Sequence, residues 1–255
     1  MLKKLKQHQF LIEELVSRDF KKKYKGTVLG MGWSILSPLL MLLVMKLVFT
    51  HFFGARIEHY TTFLFSGNLI FSYFNESTTQ GMTSLRENAV IFSKINVPKY
   101  LFLLSKNVQT LINFAITLAV YFVFCAFDGI SFTWLFLTLI FPVICLFVFN
   151  AGIGLILSGL FMFFKDMRYL WTVFLQLLMY ASCIFYSPEG YTGLLGKIFY
   201  ANPVYCFIYY FRSVVIGGSL PPLWLHGLIV LYSFAAVMLG GLLYKKHNHR
   251  FLYYV

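Results

Sequence analysis

Six stretches of the chain are apolar for long enough to form membrane-spanning helices: Gly30–Phe53, Thr61–Gly81, Tyr100–Phe127, Phe132–Phe164, Tyr169–Tyr186 and Leu223–Tyr244. A spanning helix needs about 20 mostly apolar residues. The pattern between them is informative. Before span one, Phe10–Lys25 sets Leu11, Leu15, Phe20 and Tyr24 against Glu13, Glu14, Arg18 and the lysines, the signature of a helix lying in the membrane interface. Between spans two and three, Thr83–Lys94 is amphipathic at helical spacing, too polar to span, and followed by Pro98; it predicts a short cytoplasmic helix. Between spans five and six, Ser187–Pro222 is apolar and aromatic but broken by nine Gly and Pro residues. Two short re-entrant helices on the external face, Tyr191–Tyr200 and Val204–Ile216, fit that pattern. The fold class expected is an all-α membrane protein forming one transmembrane domain over 1–255, with residues 1–29 as the interface segment and 30–255 as the bundle.

Charge fixes an orientation. The 255 residues carry 21 Lys and Arg, 9 Asp and Glu, a net charge of +12, and 59% hydrophobic residues. Eight cations precede residue 26, Arg86, Lys94, Lys99 and Lys106 lie between spans two and three or at the start of span three, two lie between spans four and five, and three after Tyr244. The opposite side holds Arg56, Lys197 and Arg212. Seventeen against three places both termini in the cytoplasm. Clustering at span ends suits a membrane surface and argues against a nucleic-acid groove. The first ten residues are polar and basic and the first apolar run is long, so no cleavable signal peptide is expected.

Catalytic patterns are missing. There is no Walker A, H-E-x-x-H or G-x-S-x-G motif, and the four cysteines are scattered without metal-ligand spacing, so no metal is expected. Lys46 is the one clear cation inside a span, either a functional charge or a side chain snorkelling toward the external interface. Glu76 is the carboxylate nearest mid-span, on a polar face with Asn75, Ser77, Thr78, Thr79 and Gln80. Aromatic residues make up 20% of the chain. Trp33, Trp171, Tyr180, Phe185, Tyr186 and Tyr191 are either packing residues or a surface on which sugar rings could stack.

The run Arg18-Asp19-Phe20-Lys21-x-x-Tyr24, followed by Leu29-Gly30-x-x-Trp33-x-x-Leu36-x-Pro38, resembles the opening of the permease subunit of ATP-binding-cassette exporters of cell-surface polysaccharide. These exporters carry O-antigen, capsule and teichoic-acid chains. Phe65-Ser66-Gly67 through Phe74, Asn88 through Lys94 with Pro98, Phe163-Phe164-Lys165-Asp166-Met167-Arg168, and Asn202-Pro203 match in the same order. Pro188-Glu189-Gly190 departs from the pattern, since relatives often have an apolar residue after the proline. The resemblance implies a homodimer in the bacterial plasma or inner membrane, each copy bound to a separate ATPase subunit that supplies ATP and Mg; this chain itself is no enzyme. It implies that a coupling helix, Ser84 to Lys94, docks on that ATPase, with Ser84, Leu85, Arg86, Glu87, Asn88, Ile91, Phe92 and Lys94 as contacts. Arg18, Lys21, Lys22, Lys23 and Lys25 of the interface helix either meet the phosphate of a lipid-linked polysaccharide or anchor to anionic membrane lipid. A polymer path along spans one and five would involve Trp33, Trp171, Tyr180, Phe185 and Tyr186. Export of a drug or small lipid is the alternative reading.

Overall fold

A computed structural model describes residues 9–53, 59–94, 97–188, 194–247 and 251. Those residues are mostly helical, with no strand among them. The order is α1 (Gln9–Tyr24), a 3₁₀ turn at Gly30–Gly32, α2 (Trp33–Phe53), α3 (Tyr60–Glu87), α4 (Ala89–Lys94) and α5 (Tyr100–Phe127). A 3₁₀ stretch at Trp134–Leu139 leads into α6 (Ile140–Phe163) and α7 (Met167–Ala181). Then come α8 (Leu194–Ile198), a 3₁₀ turn at Phe199–Ala201, α9 (Pro203–Val215) and α10 (Leu223–His247). Among the described residues, three stretches are long and apolar enough to cross a membrane: Tyr100–Phe127, Trp134–Phe163 and Leu223–His247. The proposed re-entrant start at Tyr191 lies outside the described residues.

The most polar of the long helices is also the most central. Phe63, Ser66, Ile70, Phe74, Thr78, Met82 and Leu85 of α3 are all buried, where α5, α6 and α9 pack around them. Several of its polar groups are paired internally: Ser77 Oγ donates to Asn107 Oδ1 at 2.7 Å, and Asn107 Nδ2 donates to the Phe147 carbonyl at 3.0 Å, tying α3 to α5 and α6. Buried polar groups satisfied in this way hold helices together inside an apolar medium. Aromatic faces complete the contact, with Tyr73 stacked on Phe114 at 4.6 Å and Phe74 on Phe149 at 5.8 Å between ring centres.

Helices α6 and α10 approach closely because Gly152 has no side chain. A Cβ there would meet the Ala236 carbonyl carbon and the Val237 nitrogen at 2.5 Å. Small residues permit this backbone contact where no hydrophobic force drives helices together.

The fifth apolar stretch is not one helix over Tyr169–Tyr186: α7 stops at Ala181, and residues 182–186 turn. Fifteen residues reach only ~22 Å at 1.5 Å per residue, short of a ~30 Å hydrocarbon layer. The turn is nevertheless buried, with Ser182, Cys183 and Ile184 essentially inaccessible and Cys183 in the left-handed region at φ 52. Arg212 serves two of its carbonyls, and the Tyr60 hydroxyl donates to a third, that of Phe185, at 3.0 Å. Arg212 Nη1 donates to the Cys183 carbonyl at 2.8 Å, and Nη2 donates to the carbonyls of Ile184 and Phe63, both at 3.0 Å. Arg212 Nε donates to Ser66 Oγ at 3.3 Å, and the guanidinium carbon sits 3.4 Å from the centre of the Phe63 ring. Gly67 leaves room for this cation, since a Cβ there would lie 2.8 Å from Nη2. Arg212, expected in an external loop, is therefore a buried tie. Asn202 fixes the other side of the same corner. Its Oδ1 caps α9 by accepting from the Val204 and Tyr205 amides, Pro203 occupies the first turn, and Nδ2 donates to Ser182 Oγ at 2.9 Å.

Candidate functional site

The chemistry-bearing residues gather at the end of the bundle where α1, the α3–α4 corner and the start of α5 meet. Leu15 of α1 is buried with Leu85, Ala89, Phe102, Met162, Tyr244 and Phe251, an apolar cluster joining both chain termini to the corner. Above it runs a chain of charges. Arg18 Nε donates to Asp19 Oδ1 at 2.9 Å, and Arg18 Nη2 donates to Asn88 Oδ1 at 2.9 Å. Asn88 Nδ2 donates in turn to the Ser84 carbonyl at 2.8 Å. Lys106 Nζ lies 3.1 Å from Asp19 Oδ2 and 3.0 Å from Glu87 Oε2, ion contacts that lack the alignment of hydrogen bonds. Asp19 is 5% exposed and Lys106 8% exposed, so water screens this pair poorly. Nearby Lys99 sits 5.5 Å from the centre of the Phe251 ring, and burial lowers its pKa from the ordinary lysine value.

The segment Ser84–Lys94 is not a single helix. Ser84, Leu85, Arg86 and Glu87 continue α3, Asn88 breaks the helix, and only Ala89–Lys94 forms the separate short element. Asn88 sits at φ −108 and ψ 16, its side chain spent on Arg18 and Ser84. Ser84, Leu85 and Asn88 are buried, and Ile91 packs against the apolar cluster. Arg86, Glu87, Ser93 and Lys94 face outward, as does Val90 at 66% exposure. The side chain of Phe92 lies outside the described residues.

Of the five basic candidates on the interface segment, all are exposed, but two are engaged within the chain: Arg18 as above, and Lys23, whose Nζ donates to Glu76 Oε1 at 2.6 Å. Lys21, Lys22 and Lys25 remain on the outer face. The same Glu76 oxygen accepts from Gln80 Nε2 at 3.0 Å and Asn113 Nδ2 at 3.1 Å. Beside this knot opens a cavity of about 500 Å³ between α2, α3 and α5. Trp33, Ser37 and Met41 form one wall, Asn68, Ser72 and Glu76 a second, and Thr110, Asn113 and Thr117 a third. Spacings of three and four place each set on one helix face.

The aromatic candidates do not form one surface. Trp171 and Phe185 are buried, Trp171 stacked on Phe174 at 5.2 Å and tilted against Phe74 at 6.1 Å. Tyr180 is 62% exposed on α7, and Tyr186 donates its hydroxyl to the Tyr180 carbonyl at 3.0 Å. Trp33 belongs to the cavity. Tyr191 lies outside the described residues. Lys46 is on the exposed side of α2. No cluster of His, Cys, Asp and Glu among the described residues could hold a metal ion.

Sequence reasoning missed Asp19, Lys106 and Arg212 as tying residues. One signal was present: Asp19 is a single acid inside a basic run, an arrangement suited to a paired rather than a solvated carboxylate.

The sequence profile described as ABC-2 type transporter matches residues 11–216. The chain is 27% identical to an O-antigen export system permease protein RfbA of Klebsiella pneumoniae, across 94% of this chain and 93% of that one. It is 28% identical to an RfbA of Myxococcus xanthus, across 87% and 86%. Identity to the polysialic acid transport protein KpsM of Escherichia coli is 22%, across 94% and 95%. A match covering the interface helix, the α3–α4 corner and the Asn202-Pro203 cap shows that this chain is a member of the ABC-2 type transporter family of membrane proteins.

Proposed function

We propose that the chain is the transmembrane subunit of an ATP-driven exporter that moves a lipid-linked polysaccharide outward across the bacterial plasma or inner membrane. The observation that carries this reading is similarity along almost the whole chain to permeases named for O-antigen and polysialic acid transport. Six crossings with both termini cytoplasmic agree with the distribution of Lys and Arg. In this arrangement α7 and the turn after it together make the fifth crossing, the turn being sheltered by Arg212. The whole chain acts as one permease domain. ATP hydrolysis belongs to a separate subunit, which docks on the exposed residues Arg86, Glu87, Val90 and Lys94 at the α3–α4 corner. Two copies of the chain form the polymer path between them. Helices α2 and α7 suit its walls, because Leu43, Leu47, Leu170, Val173 and Tyr180 are exposed on the outside of the bundle.

The test is assembly. The tagged chain, expressed with the ATP-binding-cassette ATPase of its host, should co-purify with it and stimulate ATP hydrolysis. An ATPase that neither binds nor responds would contradict the reading.

A further inference from the structure

We infer that the cavity between α2, α3 and α5 is a binding site for a neutral, hydroxyl-rich sugar unit carried on a lipid. Three observations give that chemistry. First, the cavity's one lysine and one glutamate neutralise each other: Lys23 donates to Glu76 at 2.6 Å, so the site offers a phosphate no uncompensated charge from this pair. Second, the walls are rich in acceptors. Thr117 spends its hydroxyl proton on the Asn113 carbonyl, which leaves its oxygen to accept from a ligand, and the exposed Ser37 and Ser72 add hydroxyls on the facing walls. Asn113 is 7% exposed, gives its amide to Glu76, and has no hydrogen-bond partner for Oδ1 among the described residues. A buried acceptor left alone is costly, and a ligand hydroxyl would relieve it. Third, Trp33 stands at the first turn of α2 and supplies the flat face on which a sugar ring stacks.

The position suits a lipid-borne ligand. From Trp33 to Met41 the wall rises ~12 Å along α2, and Lys23 and Thr27 border its lower rim. A headgroup held there would keep its lipid tail in the hydrocarbon outside the mouth of the cavity. The site is formed by residues of a single copy of the chain. Its physiological occupant rests on the export reading; its chemistry rests on the cavity. The sugar could belong to the lipid-linked polysaccharide or to a glycolipid of the membrane.

The experiment uses the full chain in nanodiscs, with Trp134, Trp171 and Trp224 replaced by Phe so that Trp33 alone reports. A short-chain alkyl glucoside, added below its micelle concentration, should change Trp33 emission saturably. Alkyl phosphocholine and alkyl phosphate of equal chain length should not. Ser72→Leu, at an exposed position of α3 that fills the cavity without disturbing the core, should weaken glucoside binding by about tenfold or more, and Asn113→Leu should do the same. A non-saturable response, an equal response to the phosphate or phosphocholine, or unchanged affinity in a folded Ser72→Leu protein would each overturn the inference. The source follows from cells carrying Ser72→Leu. Slowed appearance of surface polysaccharide identifies the exported glycan as occupant. Normal export alongside lost glucoside binding identifies a membrane glycolipid. Saturable binding to a chain whose deletion leaves surface polysaccharide intact would defeat the export reading and leave the site standing.

Discussion

Arg212 shows how one residue can replace a stretch of helix. An irregular turn at membrane depth is tolerated only where protein satisfies its backbone, and a single guanidinium serves the carbonyls of Phe63, Cys183 and Ile184 together. Arg212→Ala should leave those acceptors unpaired at about 1–3 kcal/mol each. Cys183, inaccessible in the native protein, should then react with a maleimide when the other three cysteines are replaced; unchanged protection would show that the turn holds without the cation. Lys is a poor substitute here, because one ammonium lacks the planar fork that reaches several acceptors. Packing gives a second prediction. Gly152→Ala forces a methyl group into the α10 backbone and should lower the melting temperature of the purified protein, overpacking costing about 1–3 kcal/mol. Gly241→Ala, where the added carbon meets nothing within 4 Å, is the matched control and should melt unchanged. At this scale the sequence revealed little. Counting cations assigns Arg212 and Lys106 to a side of the membrane but is blind to whether each is solvated or buried, since that depends on residues 146 and 87 positions away.

Among the elements, the interface helix is held to the bundle by Leu15 and by the Asp19–Lys106 contact. Asp19→Asn removes the carboxylate charge between Arg18 and Lys106, while Lys106 keeps Glu87. The cost should fall at the lower end of the ~3–5 kcal/mol expected for breaking a buried pair. Limited trypsin digestion of the purified protein should then cut faster between Arg18 and Lys25; an unaltered rate would mean that Leu15 and its apolar neighbours suffice. The α3–α4 corner yields a sharper test of coupling. Ile91 packs inward, so an aspartate there would damage the fold as well as any docking. Val90→Asp with Lys94→Glu alters only outward-facing positions and should abolish stimulation of the ATPase partner with membrane insertion retained. Normal stimulation would remove this corner from the docking surface. Element boundaries were legible where an apolar run coincides with a helix, as at Tyr100–Phe127. They were not legible at 84–87, where polar residues continue α3 for another turn, or at 182–186, where an apolar run hides a turn. Hydropathy reports the solvent of a segment, not the conformation of its backbone.

For the molecule as a whole, the sequence carried the all-helical character and the family, because both depend on composition and on motifs spread through the chain. The structure adds a reason for two of those motifs: Ser66-Gly67 accommodates Arg212, and Asn202-Pro203 joins the end of α7 to the start of α9. The proposed orientation puts Ser219, exposed between α9 and α10, outside the cell. Ser219→Cys, with the four native cysteines replaced, should label with an impermeant thiol reagent added to intact spheroplasts. Labelling only after the membrane is opened would invert the topology. The central claim is export of polysaccharide, and the most direct measurement is the fate of the polymer when the chain is removed. Deleting its gene should strip the polysaccharide from the cell surface and leave lipid-linked polymer in the cytoplasm, with the wild-type chain restoring both. Unchanged surface polysaccharide in the deletion strain would contradict the account.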